Sequence, residues 1–265
     1  MEIKYENKYV AFIDVLGFSD LVFKDKPKVQ EFFNAIDEAF NYFSITEEIE
    51  KISISDSIIF LAADNDSDFV TLLKMVQNLQ GNLASNNIWV RGGITFGEVS
   101  FNDKKNIIVG EGFINSYKLE KQAIQPRIII DPRIVKKLNC SLKEFQVKIN
   151  PVLGEGAFNY TIIYDGTNSD YFEDVIFINY ADRILIESLF YLKTIPIGDT
   201  MMDKVYEHLK LNLYGSQQHY SKYLWVKKYL QKVILDNLLL SNQPEHLNYK
   251  YKAAFNYWEK KFSSL

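Results

Sequence analysis

Two hydrophobic periods organise this chain. Tyr9 to Ile13 is an unbroken apolar run that meets Asp14, with Gly17 and Phe18 close behind. Such a run between turn residues predicts a buried strand. Lys24-Asp25-Lys26-Pro27 predicts a loop whose proline opens a helix. From Val29 to Phe43 the period changes, with Phe32, Phe33, Ile36, Phe40 and Phe43 at helical spacing. Ile52 and Ile54 then alternate with serines, Asp56-Ser57 breaks the run, and Ile58 to Leu61 resumes it. Two strands joined by a tight polar turn account for that pattern. Leu72, Leu73, Val76, Leu79 and Leu83 mark a second amphipathic helix from Phe69, with Ser67 as its expected N-cap and Asn86-Asn87 at its end.

Ile88 to Val99 reads as a strand punctuated by glycine, and glycine inside a strand signals a close backbone approach or a bulge. Gly110-Glu111-Gly112 leads a helix carrying Phe113, Ile114, Tyr117 and Leu119, and Ile128 to Ile130 gives a further buried strand closed by Pro132. This order predicts an α+β fold, an antiparallel sheet with helices on one face. Past residue 150 two more strands are expected, Phe158 to Tyr164 and Val175 to Tyr180. From Arg183 the pattern is helical, interrupted at Pro196, Gly215 and Pro244. The expected division is therefore a domain of residues 1–180 and a helical C-terminal extension of residues 181–265.

Composition narrows the function classes. With 47% hydrophobic and 15% aromatic residues among 265, the chain has ample material for a core. A net charge of −4 gives no global signature for nucleic acid, so no nucleic-acid partner is expected. The single cysteine, Cys140, excludes an internal disulfide and fits a reducing compartment. The charged start of the chain does not read as a signal peptide, and no apolar run is long enough for a membrane span. A cytoplasmic protein with no membrane partner is the expectation. The three histidines lie apart in the helical tail without zinc-ligand spacing, and no phosphate-binding P-loop is present.

The candidate chemistry is carboxylate chemistry. Asp14 ends one apolar strand and Asp56 stands at the tip of the expected hairpin. If the first strand lies beside that hairpin, both carboxylates meet at one sheet edge, a fair site for Mg²⁺ or Mn²⁺ with phosphate oxygens completing the shell. Each is also open to a plainer reading as a turn aspartate. Arg91, a charge at the start of an apolar strand, needs a partner, either a ligand or a structural ion pair with a residue such as Glu98.

Four segments in order resemble the class III nucleotidyl cyclases. They are Phe12-Ile13-Asp14-Val15-Leu16-Gly17-Phe18-Ser19, Ile54-Ser55-Asp56-Ser57, the strand from Arg91 to Val99, and the helix led by Gly110. The resemblance covers roughly residues 8–132 and implies a ferredoxin-like palm acting as a head-to-tail homodimer with shared active sites. It implies two divalent metal ions, Mn²⁺ or Mg²⁺, on Asp14, Asp56 and the Val15 carbonyl. It further implies a triphosphate cradled by Leu16, Gly17, Phe18 and Ser19, with Lys51, Arg91 and Lys118 as nucleotide contacts.

The chain departs from the family at informative positions. Counted from Gly110 without gaps, Ile114 stands where purine cyclases have an asparagine, unless the helix slips so that Asn115 serves. Lys118 replaces their phosphate-binding arginine. Ile107 and Ile52 stand where purine-reading groups are found, with Lys51 adjacent. Tyr117-Lys118-Leu119-Glu120 and Pro126-Arg127-Ile128 are similar to the bacterial pyrimidine cyclases of Pycsar antiphage systems. That resemblance implies conversion of UTP or CTP to a cyclic nucleotide, a second messenger read by a downstream effector. The alternative expectation is an inactive cyclase-like module that senses nucleotide or binds a protein partner.

Overall fold

The computed structural model describes residues 3–43, 49–149, 160–166, 175–192, 194–215, 217–239 and 245–265. Strand β1 (Glu6–Val15) is followed by the short helix α1 (Phe18–Lys24) and by α2 (Lys26–Phe43). The hairpin β2 (Ile49–Ile54) and β3 (Ser57–Ala63) comes next, then α3 (Asp66–Ser85) and the long strand β4 (Val90–Asn102). These elements pair in the order β2-β3-β1-β4, every pair antiparallel. A β-α-β-β-α-β chain with that strand order is the ferredoxin-like arrangement.

The sheet continues beyond this unit. Strand β5 (Ile107–Val109) folds back on β4, and α4 (Glu111–Gln122) carries the chain to β6 (Ile128–Ile130). Because α4 is a crossover, β6 pairs with β4 in parallel, the one departure from the expected antiparallel sheet among the described strands. After α5 (Pro132–Lys137) and α6 (Leu142–Ile149), strands β7 (Ile163–Asp165) and β8 (Ile176–Ile178) complete the order β4-β6-β8-β7. The expected strand from Phe158 begins outside the described residues. The α+β expectation holds, and so does the helical C-terminal part: α7 (Tyr180–Tyr191), α8 (Met201–Leu213), α9 (Gln217–Leu239) and α10 (Glu245–Ser263). Among the described residues no helix is long and apolar enough to cross a membrane.

Strand alternation divides the core. Tyr9, Ala11, Ile13 and Val15 point to one face and pack against α2 and α3 through Phe32, Ile36, Phe69 and Leu72. Tyr9 stacks on Phe69 with ring centroids 4.0 Å apart. Helix α3 is capped by Asn65, whose side chain accepts from the Asp68 N–H, rather than by Ser67. Val10 and Phe12 point to the opposite face with Ile52, Ile59, Leu61 and Val99. Helix α4 lies on that second face, with Phe12 against Phe113 and Tyr117 at 6.1 and 5.5 Å. Helices on one face thus describes α2 and α3, and α4 crosses the other.

Glycine explains how α4 comes so near. A Cβ on Gly93 would sit 2.7 Å from the Ser116 carbonyl oxygen, and one on Gly97 3.0 Å from the Gly112 nitrogen. The strand glycines therefore mark close approach, and the facing stripe of α4 is Gly112, Ser116 and Glu120, all buried. Ile114 and Tyr117, apolar positions of the expected pattern, lie outward at 49% and 41% exposure. A second core holds α7 to α10 together and reaches across residue 180, taking in Ala84, Trp89 and Phe177.

Candidate functional site

Antiparallel register assembles the site. Asp14 lies opposite Ser57 on β3 and opposite Arg91 on β4, and Ser57 lies opposite Ile54 on β2. Four side chains thus form a row across one end of the sheet, on the face that α4 covers farther along. The β2–β3 turn is made by Ser55, with φ of 56°, and Asp56. It is tied to β1 by the Val15 N–H donating to the Asp56 carbonyl oxygen at 3.2 Å. This bond holds Asp56 beside Asp14.

The electrostatics follow from that crowding. Burial raises the Asp14 carboxyl above the usual range, the Asp56 charge raises it further, and Arg91 and Ser57 oppose the rise. Ser57 Oγ donates to Asp14 Oδ1 at 3.4 Å, and an Arg91 terminal nitrogen stands 3.5 Å from Asp14 Oδ2. The stronger partner of Arg91 is Glu120, with Nε 2.6 Å from Oε1. That contact is close, but its angle is poor for a hydrogen bond, and neither atom has another partner. Glu120 has a side chain only 3% exposed. Glu98, one candidate for a structural ion pair, is exposed instead.

The other expected site residues divide. Leu16 does not offer its N–H to a ligand, because that group donates to the Trp89 carbonyl oxygen at 2.8 Å. Gly17 takes a left-handed φ of 73° and caps α1, so Phe18 and Ser19 fall at the opening positions whose N–H groups lack an intrahelical acceptor. Lys51 is not brought to the site. Alternation turns it to the face opposite Ile52, where it pairs with Asp37 of α2 at 2.6 Å and lies 4.8 Å from the Phe40 ring. Lys118 is exposed on α4. Ile52 is 2% exposed and belongs to the core, whereas Ile107 is 41% exposed.

No family model matches this sequence, and no curated protein matches it. Solved structures with a similar chain path include the adenylyl cyclase CyaB from P. aeruginosa. It is 14% identical, over 52% of this chain and 84% of that one, with a TM-score of 0.42. The monomeric guanylyl cyclase domain of the RhoGC fusion protein from the aquatic fungus Blastocladiella emersonii is 16% identical, over 52% and 90%, at 0.40. The guanylyl cyclase Cya2 is 11% identical, over 67% and 93%, at 0.42.

A divalent cation fits the donor set as a two-carboxylate site. Both groups are hard oxygen donors, and their mutual repulsion at Asp14 is the charge a cation would relieve. Among the described residues no group of three or more His, Cys, Asp or Glu side chains is placed to hold a metal, so the remaining ligands must come from substrate, water or backbone. Sequence reasoning missed Ser57 and Glu120. For Glu120 the signal was present, because it stands four residues past Ser116 and eight past Gly112, on the same face of the helix as those two small residues.

Proposed function

We propose that this chain is a metal-dependent nucleotidyl cyclase that converts UTP or CTP to the 3′,5′-cyclic nucleotide and pyrophosphate. The observation that carries the reading is the pairing of Asp14 and Asp56 at one end of a ferredoxin-like sheet, directly before the Gly17 turn. Asp14, Asp56 and the Val15 carbonyl would hold Mg²⁺ or Mn²⁺, which supplies activation of the ribose 3′-hydroxyl and neutralisation of phosphate charge. The N–H groups of Gly17, Phe18 and Ser19 bind phosphate oxygens. Arg91, kept in place by Glu120, faces the charge that develops on the reacting phosphate. The 3′-hydroxyl gives up its proton to solvent, its oxygen attacks the α-phosphorus, the bond from that phosphorus to the oxygen bridging the β-phosphate breaks, and pyrophosphate leaves.

Pyrimidine preference rests on what the chain lacks. Ile107 and Ile52 are aliphatic where a purine reader would offer hydrogen bonds, and Lys51 is engaged with Asp37. The proposal extends to a homodimer in which α4 of one copy, with Lys118, completes the site of the other. It extends also to a cytoplasmic role in antiphage signalling through a cyclic-nucleotide effector. One observation favours a second reading, a nucleotide-sensing or protein-binding module without catalysis: Arg91 already partly neutralises Asp14.

The deciding experiment offers all four NTPs at equal concentration with Mn²⁺ and resolves products by mass. The expected result is cyclic UMP or cyclic CMP from the native chain and none from Asp14→Ala or Asp56→Asn, with both variants folded. Cyclic AMP or cyclic GMP alone would remove the pyrimidine assignment. Metal-dependent nucleotide binding without any product would leave the sensing module.

A further inference from the structure

A cavity of about 190 Å³ opens beside the Gly17 turn, between the end of the sheet and helix α9. Its lining carries the charged residues Asp20, Lys28 and Lys222 and the imidazole of His219, and its apolar wall includes Trp89 and Tyr223, whose rings meet at 6.0 Å. Asp20 is matched by Lys24 at 3.1 Å, and among the described residues Lys28 has only a distant ion-pair partner in Asp25 at 4.0 Å. Among the described residues no carboxylate pairs with Lys222. Burial holds its ammonium below the usual lysine range, and the nearby positive charge of Arg91 lowers it further. Two lysines line this partly buried space, one of them with no carboxylate partner among the described residues, and such a lining makes a site for an anion. The volume is below the roughly 300 Å³ at which drug-sized ligand pockets begin, so it suits a phosphate chain better than a nucleoside.

We propose that helix α9 of the C-terminal extension lends Lys222 and His219 to a polyphosphate pocket, completed by Lys28 and the Gly17 turn, that takes the β- and γ-phosphates of the substrate and holds pyrophosphate after the reaction. This rests on reading the Asp14 end of the sheet as the nucleotide site. It gives the extension a function: α9 is packed against the sheet through Trp225 and Tyr229, which meet Phe177 at 5.7 and 5.3 Å, and so presents Lys222 from a rigid support. Lysine acts here as a compact point charge and histidine as a ring N–H donor.

The test is calorimetric titration of the full chain with inorganic pyrophosphate, with and without Mg²⁺, beside titrations with inorganic phosphate and with uridine. Lys222→Gln is expected to weaken pyrophosphate binding about tenfold or more, the loss of one charge-assisted contact. Lys222→Arg should retain most of the affinity, and Lys228→Gln, an exposed lysine on the same helix, should retain all of it. Inorganic phosphate should bind more weakly than pyrophosphate and uridine should not bind detectably. Native-like pyrophosphate binding by folded Lys222→Gln, no binding by the native chain, or uridine binding lost on Trp89→Ala would each overturn the pocket. If no NTP is cyclised while pyrophosphate binding still depends on Lys222, the pocket stands and the cyclase reading falls.

Discussion

Glu120 decides where Arg91 points. The guanidinium is shared between a buried carboxylate at 2.6 Å and Asp14 at 3.5 Å, and the nearer partner dominates. Replacing Glu120 with glutamine removes that pull and releases Arg91 toward Asp14, where it competes with a cation. Two effects are expected from Glu120→Gln. Breaking a partly buried ion pair should lower stability by about 1–3 kcal/mol. The Mn²⁺ concentration for half-maximal binding, followed by water-proton relaxation, should rise severalfold. Unchanged Mn²⁺ binding in a measurably destabilised variant would make Glu120 a purely structural partner. The carboxylate pair also fixes a direction with pH: Asp14 titrates above the ordinary carboxylate range, so metal binding should fade on acidification before ordinary carboxylates protonate.

At the scale of elements, the packing of α4 on β4 positions Glu120. A methyl group on Gly93 would meet the Ser116 carbonyl oxygen and the Leu119 Cβ, both at 2.7 Å. Gly93→Ala should therefore push α4 outward, cost about 1–3 kcal/mol, and cut the proposed activity through Arg91 although residue 93 has no side chain to offer the site. Thermal melting and product formation measured together check this, and full activity with native stability would contradict the packing account. A second element-level device ties α7 to the strand region. The Thr161 N–H and hydroxyl both donate to Asp182 Oδ2, at 2.7 and 3.0 Å. Burial nonetheless pushes this carboxyl from the ordinary 3.8 up to about 7. The folded chain therefore keeps a proton that the unfolded chain has already lost. Asp182 contributes its full stability below about pH 4 and loses it as pH rises toward 7. Asp182→Asn keeps an acceptor for Thr161 but cannot ionise. Its melting temperature should fall less than that of the native chain between pH 5 and 8, and parallel profiles would refute the assignment.

For the whole molecule, the question is whether one chain holds a complete site. Asp14 and Asp56 lie together, but Lys118 is exposed on α4, and Ile107, Ile114 and Tyr117 leave an apolar surface of 41–49% exposed residues around it. In the proposed head-to-tail dimer, Asp14→Ala and Lys118→Ala chains, each inactive alone, should recover partial activity when mixed, because one of the two shared sites is then intact. No recovery in heterodimers verified by native mass spectrometry would require a self-contained site.

Features that depend on near neighbours are legible in the chain. Periods of two and of about 3.6 residues marked most strands and helices of the first 132 residues, though not the short helix α1, and the places of Asp14, Asp56 and Gly17 were legible because strand ends and turns are local events. Tertiary structure decided the partners. The sequence left the partner of Arg91 open between a ligand and a residue such as Glu98, and only the crossing of α4 over β4 brought Glu120 to it. Lys51 read as a neighbour of the nucleotide, yet a shift of one position along a strand reverses the face, and Asp37 claims it. Lys222 lies in the helical stretch past Arg183, where the period alone puts aromatic residues in a core and lysines at the surface. Trp225 and Tyr229 are indeed core at 6% and 0% exposure, but the docking of α9 turns Lys222 into the cavity beside Gly17. Local pattern sets which face of an element is apolar, whereas contacts between residues far apart in the chain set what each polar side chain meets.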